Sequence, residues 1–226
     1  MKRILLTGIL GSAFIVACNN SGNNITSAAD SATHSTAGHD NGTTTSSGNN
    51  TNTSNVGSNV SMMDLMNKNM QDMKAVQSTG NPDNDFAALM KVHHMGAIEM
   101  AQVVMAQGTD PQIKQIAQKI IDEQQREIAE LNTFLSGHQA HGGGESFYKE
   151  VMSQMNNMKM DMDHSGSIDR QFAQMMIPHH QGAIDMAKAY LKSGAHEEKL
   201  KAMANKIIAD QQKEIREFQA WLNKNP

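Results

Sequence analysis

The run Phe86–Ala101 returns as Phe172–Ala187, with Met90, His93, His94, Ala97, Met100 and Ala101 matched by Met176, His179, His180, Ala183, Met186 and Ala187. A second block follows in each copy. Lys119-Ile120-Ile121 and Gln124-Gln125-Arg126-Glu127-Ile128 correspond to Lys206-Ile207-Ile208 and Gln211-Gln212-Lys213-Glu214-Ile215, and Phe134-Leu135 to Trp221-Leu222. The offset shifts by one residue between the blocks, which places the insertion in a loop. A duplication of this length requires two related structural units. The hydrophobic pattern has a helical period throughout, with no competing strand alternation. The expected fold is all-α, a helical bundle built from two copies of a three-helix repeat. Each copy alone has few large apolar residues to bury, so the two are expected to form one compact unit.

The first repeat spans 61–137, a Gly/His joint 138–145, and the second repeat 146–226. Helices are expected near Ser61–Ser78, Pro82–Gln107 and Pro111–Ser136. Asn81-Pro82 and Asp110-Pro111 each combine a capping side chain with proline at the first helical position. Gly108, Gly137 and Gly194 are expected as C-terminal stops. Pro178 falls inside the second His-His helix and should kink it just before the histidines. The first copy has Val92 at that place, so the repeat does not depend on a kink.

Ahead of the repeats lie two segments of different character. Lys2 and Arg3 precede a short apolar stretch, Ile4–Val16, too short to span a bilayer as a stable helix. It ends in Ile15-Val16-Ala17-Cys18, which resembles a lipobox, so 1–18 reads as a lipoprotein signal peptide with Cys18 as the lipidated residue. Residues 19–60, rich in Ser, Thr, Asn and Gly, read as a disordered tether. His34 and His39 lie there, either as solvated linker residues or as a weak, floppy metal-capture site. This organisation implies an extracytoplasmic protein held on a bacterial membrane by acyl chains alone. Cys18 is the only cysteine. Thiolate metal chemistry, cysteine catalysis and disulfides are thereby excluded from the processed chain. The net charge of -4 comes with no basic stripe, so nucleic acid is not an expected partner.

At about 100° per residue, Phe86, Met90, His93, His94, Ala97, Met100, Ala101 and Val104 share one helix face. Glu99, and Asp185 in the second copy, fall on the opposite side, toward solvent. In the following helix Ile113, Ile116, Ala117, Ile120, Gln124, Glu127, Ile128 and Leu131 share a face, so Gln124 and Glu127 interrupt an apolar stripe. Gln211 and Glu214 are their counterparts. Buried polar groups need partners, and the facing His pair is the candidate. Glu127 and Glu214 would either orient an imidazole from behind or ligate a metal directly.

The chain has 19 methionines, several times ordinary usage. Met62, Met66, Met70 and Met73 follow helical spacing, and Met152, Met155, Met158 and Met162 make a similar stripe. Thioether sulfur selects Cu(I) over hard ions, and imidazole also suits copper. The candidate ligands are His93, His94, Met90 and Met100 with His179, His180, Met176 and Met186. Met66, Met70, Met73, Met152, Met155 and Met158 extend them from the neighbouring helices. His138, His141 and His164 lie in loops, either solvated or as auxiliary capture sites, and His196 is a surface residue.

Met176, His179, His180, Ala183, Met186 and Ala187, followed by Ile207, Gln211, Glu214 and Ile215, resemble the hallmark of the bacterial domain-of-unknown-function family 305. The first copy matches at Met90, His93, His94, Ala97, Met100 and Ala101, then at Ile120, Gln124, Glu127 and Ile128. The resemblance covers nearly all of 61–223. It implies a ferritin-like bundle and a role in periplasmic copper binding and resistance, without assigning ligands. Lys91-Val92 stand where the second copy has Ile177-Pro178, so the two copies need not be equivalent.

The resulting expectation is a copper-binding protein, not an enzyme, that sequesters Cu(I) or hands it to a partner protein. Two rivals stand beside it. One is a di-iron or di-manganese carboxylate oxidase, for which the core faces offer only Glu127 and Glu214 and no inward Glu-x-x-His. The other is a metal-free helical interaction module with structural histidines.

Overall fold

A computed structural model describes residues 61–140, 142–157 and 165–225. Cys18, the tether with His34 and His39, and His141, Met158, Met162 and His164 lie outside the described residues. The described chain forms six helices: α1 (Met62–Ala75), α2 (Pro82–Gln107), α3 (Pro111–Gly137), α4 (Ser146–Asn157), α5 (Ile168–Lys192) and α6 (Glu198–Lys224). The fold is an all-α bundle in which α1–α3 and α4–α6 are the two copies of the repeat. Both copies fall within a single unit, Thr53–Pro226. No helix among the described residues is long and apolar enough to cross a membrane.

The caps explain most helix starts. Asn81 Oδ1 accepts from the backbone N–H groups of Asp83 and Asn84, with Pro82 opening α2. Asp110 accepts from the N–H of Ile113, with Pro111 opening α3. These side chains satisfy donors that the helix itself leaves free. Helix α1 stops at Ala75, three residues short of the expected end. Asp85 is the reason: it takes hydrogen bonds from Ser78 and from both the backbone and hydroxyl of Thr79, and so draws that segment off the helix. Gly194 ends α5 in the left-handed region, with φ 77°. Gly108 ends α2 at φ -67°, so its lack of a side chain serves space rather than torsion. A Cβ there would sit 2.5 Å from a carboxylate oxygen of Asp169. Helix α5 runs through Pro178 as one element. The buried residues on both sides of the proline hold it to its neighbours.

Helices α2 and α3 pack along one another, as do α5 and α6, and the two pairs meet where α2 lies against α5. That central pair is antiparallel. Phe86 near the start of α2 stacks on Tyr190 near the end of α5, at 4.1 Å between ring centroids. His93 meets His179 at mid-length, at 3.8 Å. Beyond the end of α2, Thr109 bonds to Asp169 at the start of α5. A pseudo-twofold therefore relates the repeats. The two buried first-turn carboxylates obey it. Asp83 accepts from the hydroxyl of Tyr190 and the backbone N–H groups of His196 and Glu197. Asp169 accepts from the backbone and hydroxyl of Thr109 and the N–H of Asp110. Each repeat thus grips the interhelical turn of the other.

The expected inward face of α2 is buried at every position, and that of α3 at every position but Ile128. The apolar residues collect in two clusters, each drawn from both repeats. One gathers Phe86, Leu89 and Met90 with Ala183, Met186 and Tyr190. The other gathers Ala97, Met100 and Val104 with Phe172, Met175 and Met176. Between them lies a polar layer of His93, His94, His179, His180, Gln124, Glu127, Gln211 and Glu214, all buried.

Candidate metal centre

Adjacent residues on a helix point about 100° apart, and the two histidines of each pair accordingly do different things. His94 turns toward α3, where its Nε2 lies 2.9 Å from a carboxylate oxygen of Glu127. The other Glu127 oxygen takes a hydrogen bond from Lys206 of the opposite repeat, at 2.9 Å. The second copy repeats this: His180 Nε2 is 2.9 Å from Glu214, which accepts from Lys119 at 3.1 Å. The imidazole contacts are close but out of line for a directed hydrogen bond. Burial works against ionisation of Glu127, but His94 and Lys206 outweigh it and hold the carboxyl below its usual range. Glu214 is held low in the same way by His180 and Lys119. Each buried carboxylate is compensated by a lysine that extends to the surface, which is how a charge in this layer is tolerated.

His93 and His179 turn instead toward each other and toward the short helices. They border a cavity of about 420 Å³. Met66, Met70 and Met73 of α1, Met155 of α4 and Met186 of α5 line it, together with Gly182 and Asp185. The Nδ1 atoms of His93 and His179 are buried without a hydrogen-bond partner. Unpartnered buried nitrogens beside clustered thioethers are the donor set a soft metal ion requires. Among the described residues, no three His, Cys, Asp or Glu side chains converge as a metal-holding group.

The other candidates fall elsewhere. Met90, Met100 and Met176 are fully buried in the apolar clusters and do not border the cavity. Met152 packs half-buried against the first cluster. Gln124 and Gln211 are buried, each with an unpartnered Oε1. His138 stacks on Phe134 at 4.6 Å and lies 3.6 Å from Glu197. Glu99 and Asp185 do not both reach free solvent: Glu99 pairs with Lys68 at 3.4 Å. Asp185 lies at the cavity, because α4 packs over that side of α5. Asn69, buried in α1, was not among the sequence candidates. Its Nδ2 donates to the backbone oxygen of Val92 at 2.7 Å, and its Oδ1 lies 3.2 Å from His179 Nε2. Lys119 and Lys206 were also missed as partners, although both stand at matched positions of the repeat.

Comparison with known proteins bears on this arrangement. The model of the domain of unknown function DUF305 matches residues 26–135 and 83–222. The chain belongs to the DUF305 family. Within reach of this DUF305 chain is the solved structure of CopM in the Cu(II)-bound form. It is 30% identical, the match covers 64% of this chain and 97% of that one, and the TM-score is 0.50. The crystal structure of a DUF305 protein from Streptomyces coelicolor shares the fold at 22% identity and TM-score 0.55, covering 65% and 95%. No curated protein gives a match.

The buried histidines make a prediction about the metal-free protein. Burial first, and the neighbouring imidazoles second, hold His93 and His179 well below the ordinary value of 6.5. Below that pH the unfolded chain takes up a proton on each, while the folded protein does not. A group whose folded pKa is depressed loses stability as pH falls, and here the loss begins at the unfolded value. Between about pH 7.5 and about pH 5.5 the two sites should remove roughly 2–3 kcal/mol. Glu127 and Glu214 act in the same direction, but only at lower pH. Urea unfolding across that range measures the slope, and a flat profile would contradict neutral buried imidazoles.

Proposed function

We propose that this DUF305 protein is an extracytoplasmic copper-binding protein that takes up Cu(I) through methionine and histidine side chains, either to sequester the metal or to hand it to a partner protein. The observation that carries the reading is the cavity in which Met66, Met70, Met73, Met155 and Met186 meet His93 and His179, each with a buried, unpartnered Nδ1. Thioethers bind hard ions poorly, so the donor set selects a soft monovalent ion. The similarity to CopM, whose solved structure carries Cu(II), supports copper as the metal. In this reading Cys18 carries the lipid, residues 19–60 are the tether, and the bundle faces the periplasm or the cell exterior. His94 and His180, held by Glu127 and Glu214, stiffen the layer behind the ligands. Met90, Met100 and Met176 contribute packing, and Met152 extends the sulfur surface from the second short helix.

The oxidase reading has less support. Glu127 and Glu214 are each engaged by a histidine and a lysine, so neither offers a free carboxylate for a di-iron or di-manganese pair. The decisive experiment combines metal analysis of the full-length protein, isolated from copper-challenged cells, with anaerobic competition against a Cu(I) chelator. Copper in the isolated protein and retention of Cu(I) against the chelator are expected. Iron or manganese in its place would favour the oxidase, and an absence of any metal after challenge would favour a structural role for the histidines.

A further inference from the structure

Asn69 reaches the His layer through a notch. Its side chain lies against Gly96, where even a Cβ would come within 2.2 Å of the Asn69 Cγ. The corresponding Gly182 opens on the cavity instead. The notch brings Asn69 to the backbone of α2, and the contact settles which way its amide faces. Only the NH₂ group can donate to the carbonyl oxygen of Val92. The amide oxygen is thereby left facing His179 Nε2, at 3.2 Å. An oxygen acceptor at that position requires Nε2 to carry the proton. In a neutral imidazole the other nitrogen then bears the lone pair. That nitrogen, Nδ1 of His179, is buried and has no hydrogen-bond partner.

We propose that Asn69 is a positioning residue that fixes His179 in the Nε2-protonated tautomer, so that Nδ1 is the nitrogen His179 presents to a soft metal ion in the cavity. The assignment of a ligand rests on the copper reading above. The assignment of the tautomer does not. His93 packs against His179, with ring centroids 3.8 Å apart. Its Nδ1 is also buried and unpartnered. The two neighbouring imidazoles thus both keep an unpartnered Nδ1. A second-layer amide that selects the tautomer orients the ring and leaves one nitrogen free for the metal.

The test is long-range proton–nitrogen NMR of the ring nitrogens of ¹⁵N-labelled full-length protein, before and after addition of Cu(I). Metal-free His179 is expected to be protonated at Nε2, and Cu(I) is expected to move its Nδ1 resonance. Asn69→Leu should leave a mixture of tautomers and weaken Cu(I) binding by about tenfold or more. Gly96→Ala attacks the same contact from the opposite side, by driving the amide out of its notch, and should produce the same two changes. It keeps the test open if Asn69→Leu fails to fold. A proton on Nδ1 in the metal-free protein would overturn the proposal. So would a Cu(I)-induced shift at Nε2, or an unaltered tautomer in a folded Asn69→Leu protein. An Nε2-protonated His179 that takes up no Cu(I) would defeat the copper function and leave the tautomer assignment standing.

Discussion

Asp169→Ala should cost about 3–5 kcal/mol of folding stability, and Asp83→Ala a similar amount, in urea unfolding followed by circular dichroism. Each carboxylate is about 2% exposed and gathers three donors. For Asp169 these are the N–H of Thr109 at 2.9 Å, its hydroxyl at 3.1 Å and the N–H of Asp110 at 3.3 Å. For Asp83 they are the hydroxyl of Tyr190 at 2.5 Å and the N–H groups of His196 and Glu197, both at 3.2 Å. A hydrogen bond to a charged group contributes about 1.5–3 kcal/mol, and its donors stay buried when the acceptor goes. Each aspartate also sits in the first turn of its helix, where the helix dipole favours a negative charge. The sites lie at opposite ends of the α2–α5 pair, roughly 30 Å apart at 1.5 Å per residue. Their effects should therefore add. The double variant would lose most of the ordinary stability of a domain, about 5–15 kcal/mol. A loss below about 1 kcal/mol at either site would mean that the turns hold themselves without the other repeat.

These two aspartates mark the boundary of what the sequence made legible. The helix starts at Pro82 and Pro111 could be read because an Asn-Pro or Asp-Pro pair is local chemistry. The buried faces of α2 and α3 could be read because helical period is local too. The duplication showed that two similar units exist. It did not show that α2 lies antiparallel to α5, and that crossing decides the contacts. Asp83 meets Glu197 across 114 residues, and no spacing rule links those positions. The same crossing sets His93 on His179 and sends Lys119 and Lys206 to the glutamates of the opposite copy.

The site was legible in residue type more than in position. Met90, Met100 and Met176 share a face with the histidines, as the spacing requires. None of the three borders the cavity, however, whereas Met186, the counterpart of Met100, does. Met66, Met70 and Met73 reach the cavity because α1 crosses the α2–α5 pair at the level of His93 and His179. Asn69 gave little signal, standing as one polar residue within a methionine stripe. The sign that existed was Gly96, a glycine at mid-helix, where it costs about 1 kcal/mol relative to alanine. Such a residue is tolerated for a close approach, and here Asn69 makes it.

The split within each His pair leads to the second large effect. Replacing His93 and His179 together by Gln should weaken Cu(I) binding by about a hundredfold, roughly 2.7 kcal/mol, in competition with a chelator. Both Nδ1 atoms would be lost, and the thioethers would be left to hold the ion alone. Helical content should be retained, because Gln occupies similar volume and neither imidazole carries a charge that another group depends on. Replacing His94 and His180 by Gln should act in the opposite sense. Those rings face Glu127 and Glu214 at 2.9 Å, and their loss leaves two buried carboxylates dependent on Lys206 and Lys119 alone. Breaking a buried pair by removing one partner is costly, about 3–5 kcal/mol when the remaining charge has no other support. The lysines should reduce that to about 1–3 kcal/mol per site, while Cu(I) affinity changes by less than about tenfold. One variant therefore loses metal and keeps its fold, and the other loses stability and keeps its metal. If the His94/His180 protein lost the affinity instead, the ion would have to sit between imidazole and glutamate, and the methionine-lined cavity would not be the binding site.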